Sequence, residues 1–223
     1  MARLPADPER FIRTNTALER PAMVPEFRLW LATEYVPIWQ ATEAWLEQQN
    51  IDPPYWAFCW PGGQAVARYL LDNPDQVHGK RVIDFAAGSG VSAMAAVRAG
   101  AASVVANDID TLSLVAAQLN AEANGLALEI SAEDWLAGPP GTPEADVVIA
   151  GDVCYEREMS VRALEWLRSH ARRGRLVLLG DPGRNYFSAQ GLEERARYEI
   201  PTSLQLENRG MRETVVWRVL PHP

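Results

Sequence analysis

Two glycines and three carboxylates carry the first chemical signal in this chain. The run "VIDFAAGSG" ends an apolar stretch at Asp84 and leads through Gly88, Ser89 and Gly90 into small residues. Glycines there free the backbone to approach a ligand at a helix N-terminus. Further on, "ANDID" places Asp108 where a carboxylate accepts both hydroxyls of a ribose. Then "AEDW" sets Asp134 where it can accept from an adenine amino group and Trp135 where its ring can cover the base or pack as an ordinary aromatic. The constellation suits an adenosine-bearing cofactor. Residues 88–93 also satisfy G-x-G-x-x-G/A, so NAD remains an alternative.

A second constellation concerns the acceptor. In enzymes that methylate the amino groups of adenine or cytosine, the string Asp-Pro-Pro-Tyr positions the target nitrogen. This chain spells it at residues 52–55, inside "DPPYWAFCWPGG". That place lies before the cofactor loop, and the segment between holds little beyond one helix, too little for the inserted elements a permuted nucleic-acid methyltransferase needs. "GDVCYE" repeats the outer letters as Asp152 and Tyr155 after a later apolar run. Ligands of a doubly wound sheet occupy the crevice beyond the carboxyl ends of its strands, so Asp152 and Tyr155 are the catalytic candidates. Their alternative is a helix cap and a packing aromatic. Cys154 lies between them, but no nearby histidine makes it a nucleophile, and a buried strand-end cysteine is the simpler reading.

The elements that must hold these residues follow a regular rhythm from Arg81 onward. "RVIDFA", "SVVAND", "LALEISA", "DVVIAGD" and "RLVLLGD" read as strands, separated by helical runs such as "TLSLVAAQLNAEANG" and "REMSVRALEWLRSHARRG". Strands alternating with helices form a parallel sheet with crossover helices. Gly125 and Gly174 stand where helices end. A short helix is expected near "SAQGLEERA", then two antiparallel strands, "RYEIPTSLQLE" and "RETVVWRVL", connected around Asn208 and Gly210. Upstream, "PERFIRTNTALE" and "PIWQATEAWLEQQN" read as amphipathic helices, and "EFRLWLATEY" as strand or helix. The prolines of "DPPYWAFCWPGG" imply a stiff entrance segment that sets Trp60 against the cofactor, with Gly62 and Gly63 letting the chain pass close to it.

Bulk properties narrow the function classes. A chain of 223 residues with 48% hydrophobic content suits one domain with an appendage. Residues 1–60 form the expected N-terminal helical extension and entrance segment, and residues 61–223 the main domain. No stretch is apolar enough for a membrane helix, and the N-terminus lacks the apolar core of a signal peptide. The net charge of -8, with Lys80 the single lysine, argues against nucleic acid as partner. Cys59 and Cys154 make no disulfide framework and no metal spacing with the histidines, which fits a reducing cytoplasm without a metal.

D-x-x-x-G-x-G, with a closing antiparallel strand pair, resembles motif I of the class I S-adenosylmethionine-dependent methyltransferases. That resemblance implies an α/β fold, a Rossmann-like seven-stranded methyltransferase sheet, mostly parallel with a C-terminal antiparallel hairpin. "PPYWAFCWPGGQAVARYLLDNP", "VIDFAAGSG", "ANDID", "GDVCYE" and "GDPGR" together look like the electron transfer flavoprotein β-subunit lysine methyltransferase family, over roughly residues 25 to 220. The resemblance implies lysine ε-N-methylation of a protein substrate, the flavoprotein β subunit, with a ribosomal stalk protein as a further target of some members. It implies cofactor contacts at Trp60, Gly88, Ser89, Gly90, Asp108 and Trp135, and substrate-side roles for Asp152 and Tyr155. Trp56, Trp60 and Trp135 are candidate walls of a lysine channel. An NAD-dependent oxidoreductase and a non-catalytic module with the same fold are the competing readings.

Overall fold

The computed structural model describes residues 5–32, 54–202 and 210–221. Strands β3 (Arg81–Phe85), β4 (Ser103–Asn107), β5 (Glu129–Ser131), β6 (Val147–Gly151), β7 (Leu176–Asp181), β8 (Leu192–Pro201) and β9 (Met211–Val219) form one sheet in the order β5-β4-β3-β6-β7-β9-β8. The five strands from β3 to β7 run parallel, and β9 pairs antiparallel with both β7 and β8. β3 lies in the middle of the five parallel strands, where the strand order reverses. That reversal opens the crevice in which such sheets bind ligands.

Sequence periodicity finds these strands because both faces are covered. One apolar layer gathers Val66, Leu70, Met94, Ile149 and Leu178 under helices α2 (Pro61–Asp72) and α3 (Val91–Arg98). The opposite layer packs Phe85, Val148, Leu167 and Leu179 beneath α5 (Arg157–Arg172). Gly125, after α4 (Thr111–Ala123), and Gly174, after α5, have φ of 66° and 77°, a backbone state that favours glycine.

The N-terminal part differs from its expected form. Helix α1 (Pro8–Asn15) is shorter than expected, because Thr16 and the residues after it turn extended into β1 (Ala17–Glu19), which pairs with β2 (Leu29–Leu31). The helix expected near residues 188–196 is replaced by the start of β8, whose cross-strand pairing with β9 overrides local propensity. The helix read over residues 37–50, the first two letters of the string at 52–55 and Asn208 lie outside the described residues.

Candidate active site

Two helix N-termini around the crevice receive a cap from their own preceding residue, and two do not. Asp110 caps α4 and Glu156 caps α5. α3 begins at Gly90, which has no side chain to offer, and α2 begins at Trp60, which forms no cap. Carboxylates from the strand ends fill both places. Asp84 Oδ2 accepts from the Ala93 amide at 2.9 Å. Asp152 Oδ2 accepts from the Gly62 amide at 2.6 Å and the Gly63 amide at 3.2 Å. Each carboxylate also meets the positive end of a helix dipole.

The cofactor loop is built on that anchor. Gly88 and Gly90 have φ of 51° and 76°. They are needed for different reasons. A Cβ on Gly90 would stand 2.8 Å from that of Ala117 on α4, whereas one on Gly88 would point into open space. The Gly88 amide donates to Asp108 Oδ2 at 2.9 Å, and the Asp110 amide to Asp108 Oδ1 at 3.0 Å. Burial pushes the Asp108 carboxyl up to about 6, against the pull of those amides. Burial likewise pushes Asp84 up to about 8, with the Asp108 charge adding to it. The Ser89 carbonyl accepts from Asn120 Nδ2 at 2.9 Å, while Asn120 Oδ1 accepts from the Trp30 amide at 2.7 Å. One buried asparagine therefore ties the glycine loop to the N-terminal hairpin.

Asp134 sits half-exposed at the end of β5, where its Oδ1 accepts from the Leu136 amide at 3.0 Å and Oδ2 lies 3.7 Å from Arg162. Trp135 is buried, with its ring stacked 6.2 Å from Trp166 and its Nε1 donating to Glu133 at 3.2 Å. It belongs to the core layer under α5, so the channel-wall reading of its ring gives way to packing. Trp56 is also fully buried, against Ile12, Leu112 and Leu119. It pins the entrance segment to α4 and lines no channel.

Trp60 stays half-buried at the crevice. Its Nε1 donates to the Tyr55 carbonyl at 2.8 Å, and its ring lies 5.5 Å from Phe58 and 6.1 Å from Tyr55. Tyr55 is in turn 5.4 Å from Tyr155, and both tyrosines are nearly half exposed. The entrance segment and the loop after β6 thus meet as one aromatic cluster. Burial pushes the Tyr155 phenol up to about 12, assisted by Tyr55 and Asp108, so it stays a neutral hydroxyl.

Asp152 departs most from its expected form. Its φ is 58°, which swings the carboxylate over the start of α2. Arg184, on the loop after β7, donates to Oδ1 from Nε at 3.0 Å and from Nη2 at 2.6 Å. Four donors therefore use both oxygens of a carboxylate whose expected role was on the substrate side. Gly62 and Gly63 serve the same junction. A Cβ on Gly62 would stand 2.5 Å from Asp152 Oδ2, and one on Gly151 would stand 2.5 Å from the Gly63 amide, so these glycines bring α2 onto the ends of β6 and β7. Cys154 is buried and its thiol pushed up to about 12, which leaves it no nucleophile.

The residues fit an adenosylated cofactor: open space over Gly88, a carboxylate tied to that loop at Asp108, and Asp134 at the next strand end. Tyr55 and Arg184 had no role in the sequence reading, although both stand in strings it singled out. Among the described residues no cluster of His, Cys, Asp and Glu could hold a metal.

Comparison with known proteins agrees with this geometry. Residues 66–153 match the model of a family described as ribosomal protein L11 methyltransferase (PrmA). The chain is 38% identical over 96% of its length to an electron transfer flavoprotein beta subunit lysine methyltransferase from Xenopus laevis, covering 87% of that protein. The Homo sapiens relative of the same name is 35% identical over 96% of this chain and 84% of its own. Among solved structures, a ribosomal protein L11 methylase from Lactobacillus delbrueckii subsp. bulgaricus superposes with a TM-score of 0.50 at 23% identity, over 71% of this chain and 79% of that one.

Proposed function

Since the chain belongs to the electron transfer flavoprotein beta subunit lysine methyltransferase family, whose members are S-adenosylmethionine-dependent protein-lysine methyltransferases, we propose that its substrate is the beta subunit of that flavoprotein. The carrying observation is 38% identity to such an enzyme over 96% of the chain. The L11 methyltransferase match runs from within α2 to just past β6, over the cofactor loop, and leaves out the aromatic entrance and Tyr155. NAD chemistry is displaced by this membership. No helix among the described residues is long and apolar enough to cross a membrane, and the two free cysteines suit a reducing cytoplasm.

The cofactor supplies an electrophilic methyl group on a sulfonium. Asp108 would hold the ribose hydroxyls, the loop at Gly88, Ser89 and Gly90 would admit the rest closely, and Asp134 would accept from the adenine. Asp84 supports the loop from below by capping α3. Trp60, Tyr55 and Tyr155 would wall the acceptor side and exclude water, because in-line transfer depends on orientation that can supply roughly 7 to 11 kcal/mol. The attacking amine must be neutral. For a lysine of pKa about 10.4, deprotonation at pH 7 costs roughly 4.6 kcal/mol. Aromatic burial lowers that cost by disfavouring the ammonium, and the proton leaves to water. Asp152 contributes negative charge at the strand end and fixes the entrance, while Tyr155 shapes the amine's site.

The test is methylation of purified flavoprotein beta subunit beside a ribosomal stalk protein and bulk nucleic acid, with peptide mass spectrometry of the products. Mass gains of methyl groups on beta-subunit lysines are expected. Modification of the stalk protein alone would replace the proposed substrate.

A further inference from the structure

Arg184 joins three parts of the site that no single element holds. Its guanidinium donates twice to Asp152 Oδ1, and its side chain is only 15% exposed, against 9% for Asp152. The same guanidinium carbon lies 5.4 Å from the centre of the Trp60 ring. Asp152 Oδ2 meanwhile holds the amides of Gly62 and Gly63, the residues two and three places beyond Trp60. The chain around Arg184 is itself fixed. Asp181 Oδ1 accepts from the amides of Gly183 at 2.7 Å and Arg184 at 2.8 Å, and the Tyr186 amide donates to the Cys154 carbonyl at 3.2 Å. A closed circuit results, running from the end of β7 through Arg184 to Asp152 at the end of β6, on to α2, and back through Trp60.

We propose that Arg184 is a positioning residue for methyl transfer, clamping Asp152 and Trp60 so that the entrance segment and its aromatic wall keep their place over the strand ends. Its guanidinium suits this task. A planar fork can donate side-on to a carboxylate while presenting a face to an indole, and a lysine ammonium matches its charge but not its shape. The inference rests on the methyl-transfer reading for its kinetic consequence, and on geometry alone for its structural one.

Hydrogen exchange and steady-state kinetics of the full chain separate the two. In Arg184→Ala, the amides of Gly62 and Gly63 are expected to exchange faster while the central strand β3 keeps its protection. With the protein substrate, kcat is expected to fall about 100-fold from misplacement of the acceptor wall. S-adenosylhomocysteine affinity is expected to fall by less than about tenfold, because Trp60 alone among the expected cofactor contacts is released while those of Asp108 and Gly88 lie elsewhere. Arg184→Lys is expected to keep the fold yet recover under about tenfold of kcat. Added guanidinium ion is expected to rescue the alanine variant. Should Arg184→Ala not fold, the lysine variant decides on the same two readouts. Parent-like exchange at Gly62 and Gly63, parent-like kcat in both variants, or a loss that guanidinium does not relieve would overturn the clamp. A parent enzyme that methylates no lysine would defeat the functional reading, while the exchange result would still judge the clamp.

Discussion

At the residue scale, the carboxylates of the crevice divide by what they already hold. Asp108 spends one oxygen on each of two loop amides and stays partly exposed, so it retains accepting capacity for a ligand. Replacing it by alanine should weaken S-adenosylhomocysteine binding about a hundredfold by calorimetry, since hydrogen bonds to a charged group are worth about 1.5–3 kcal/mol each. Because its carboxyl is pushed up to about 6, cofactor affinity of the parent should also fall as pH drops through that value. Asp152 is spent already, on Gly62, Gly63 and Arg184. Asp152→Asn should cut turnover far more than cofactor affinity. It should also lower the melting temperature, because removing one partner of a buried ion pair costs about 3–5 kcal/mol. Sequence spacing located both aspartates correctly at strand ends. It could not reveal that Asp152 turns back onto α2, since a positive φ and a partner 32 positions away leave no local trace.

At the scale of elements, what was legible is what repeats. β3 to β7 and their crossover helices follow from apolar runs bounded by Gly and Asp, because a strand covered on both faces must be apolar throughout. Tertiary choices decided the rest. Leu192 and its successors join β9 instead of forming a helix, and Trp56 and Trp135 fill core layers where a binding surface would equally have used tryptophan. The link between the N-terminal hairpin and the cofactor loop is likewise invisible in sequence, since Asn120 lies mid-helix in α4. Asn120→Ala leaves the Trp30 amide and the Ser89 carbonyl without this buried partner. It should cost about 1–3 kcal/mol in urea unfolding and lower cofactor affinity severalfold. Gly62→Ala tests the helix-to-sheet junction. The added methyl would meet Asp152 and the Gly180 carbonyl, and a loss of about 1–3 kcal/mol is expected.

At the scale of the whole molecule, the design holds acidic groups in a crevice of an already acidic chain. Asp84 is pushed up to about 8, and Asp108 and Asp181 to about 6, in each case chiefly by burial. A carboxylate whose folded value exceeds its unfolded one keeps protons that the unfolded chain releases. Stability must therefore decline as pH rises from about 4 to about 8, apart from other groups. Urea unfolding across that range should show the decline, and it should lessen in Asp84→Asn, where the strongest of the three groups no longer titrates. The most direct test of the central claim is incubation of the enzyme with tritiated S-adenosylmethionine and a cell extract, followed by identification of the labelled molecule and atom. Label on a lysine ε-nitrogen of a protein, lost in Asp108→Ala, is the predicted result. Label on nucleic acid, or on a protein site other than lysine, would contradict it.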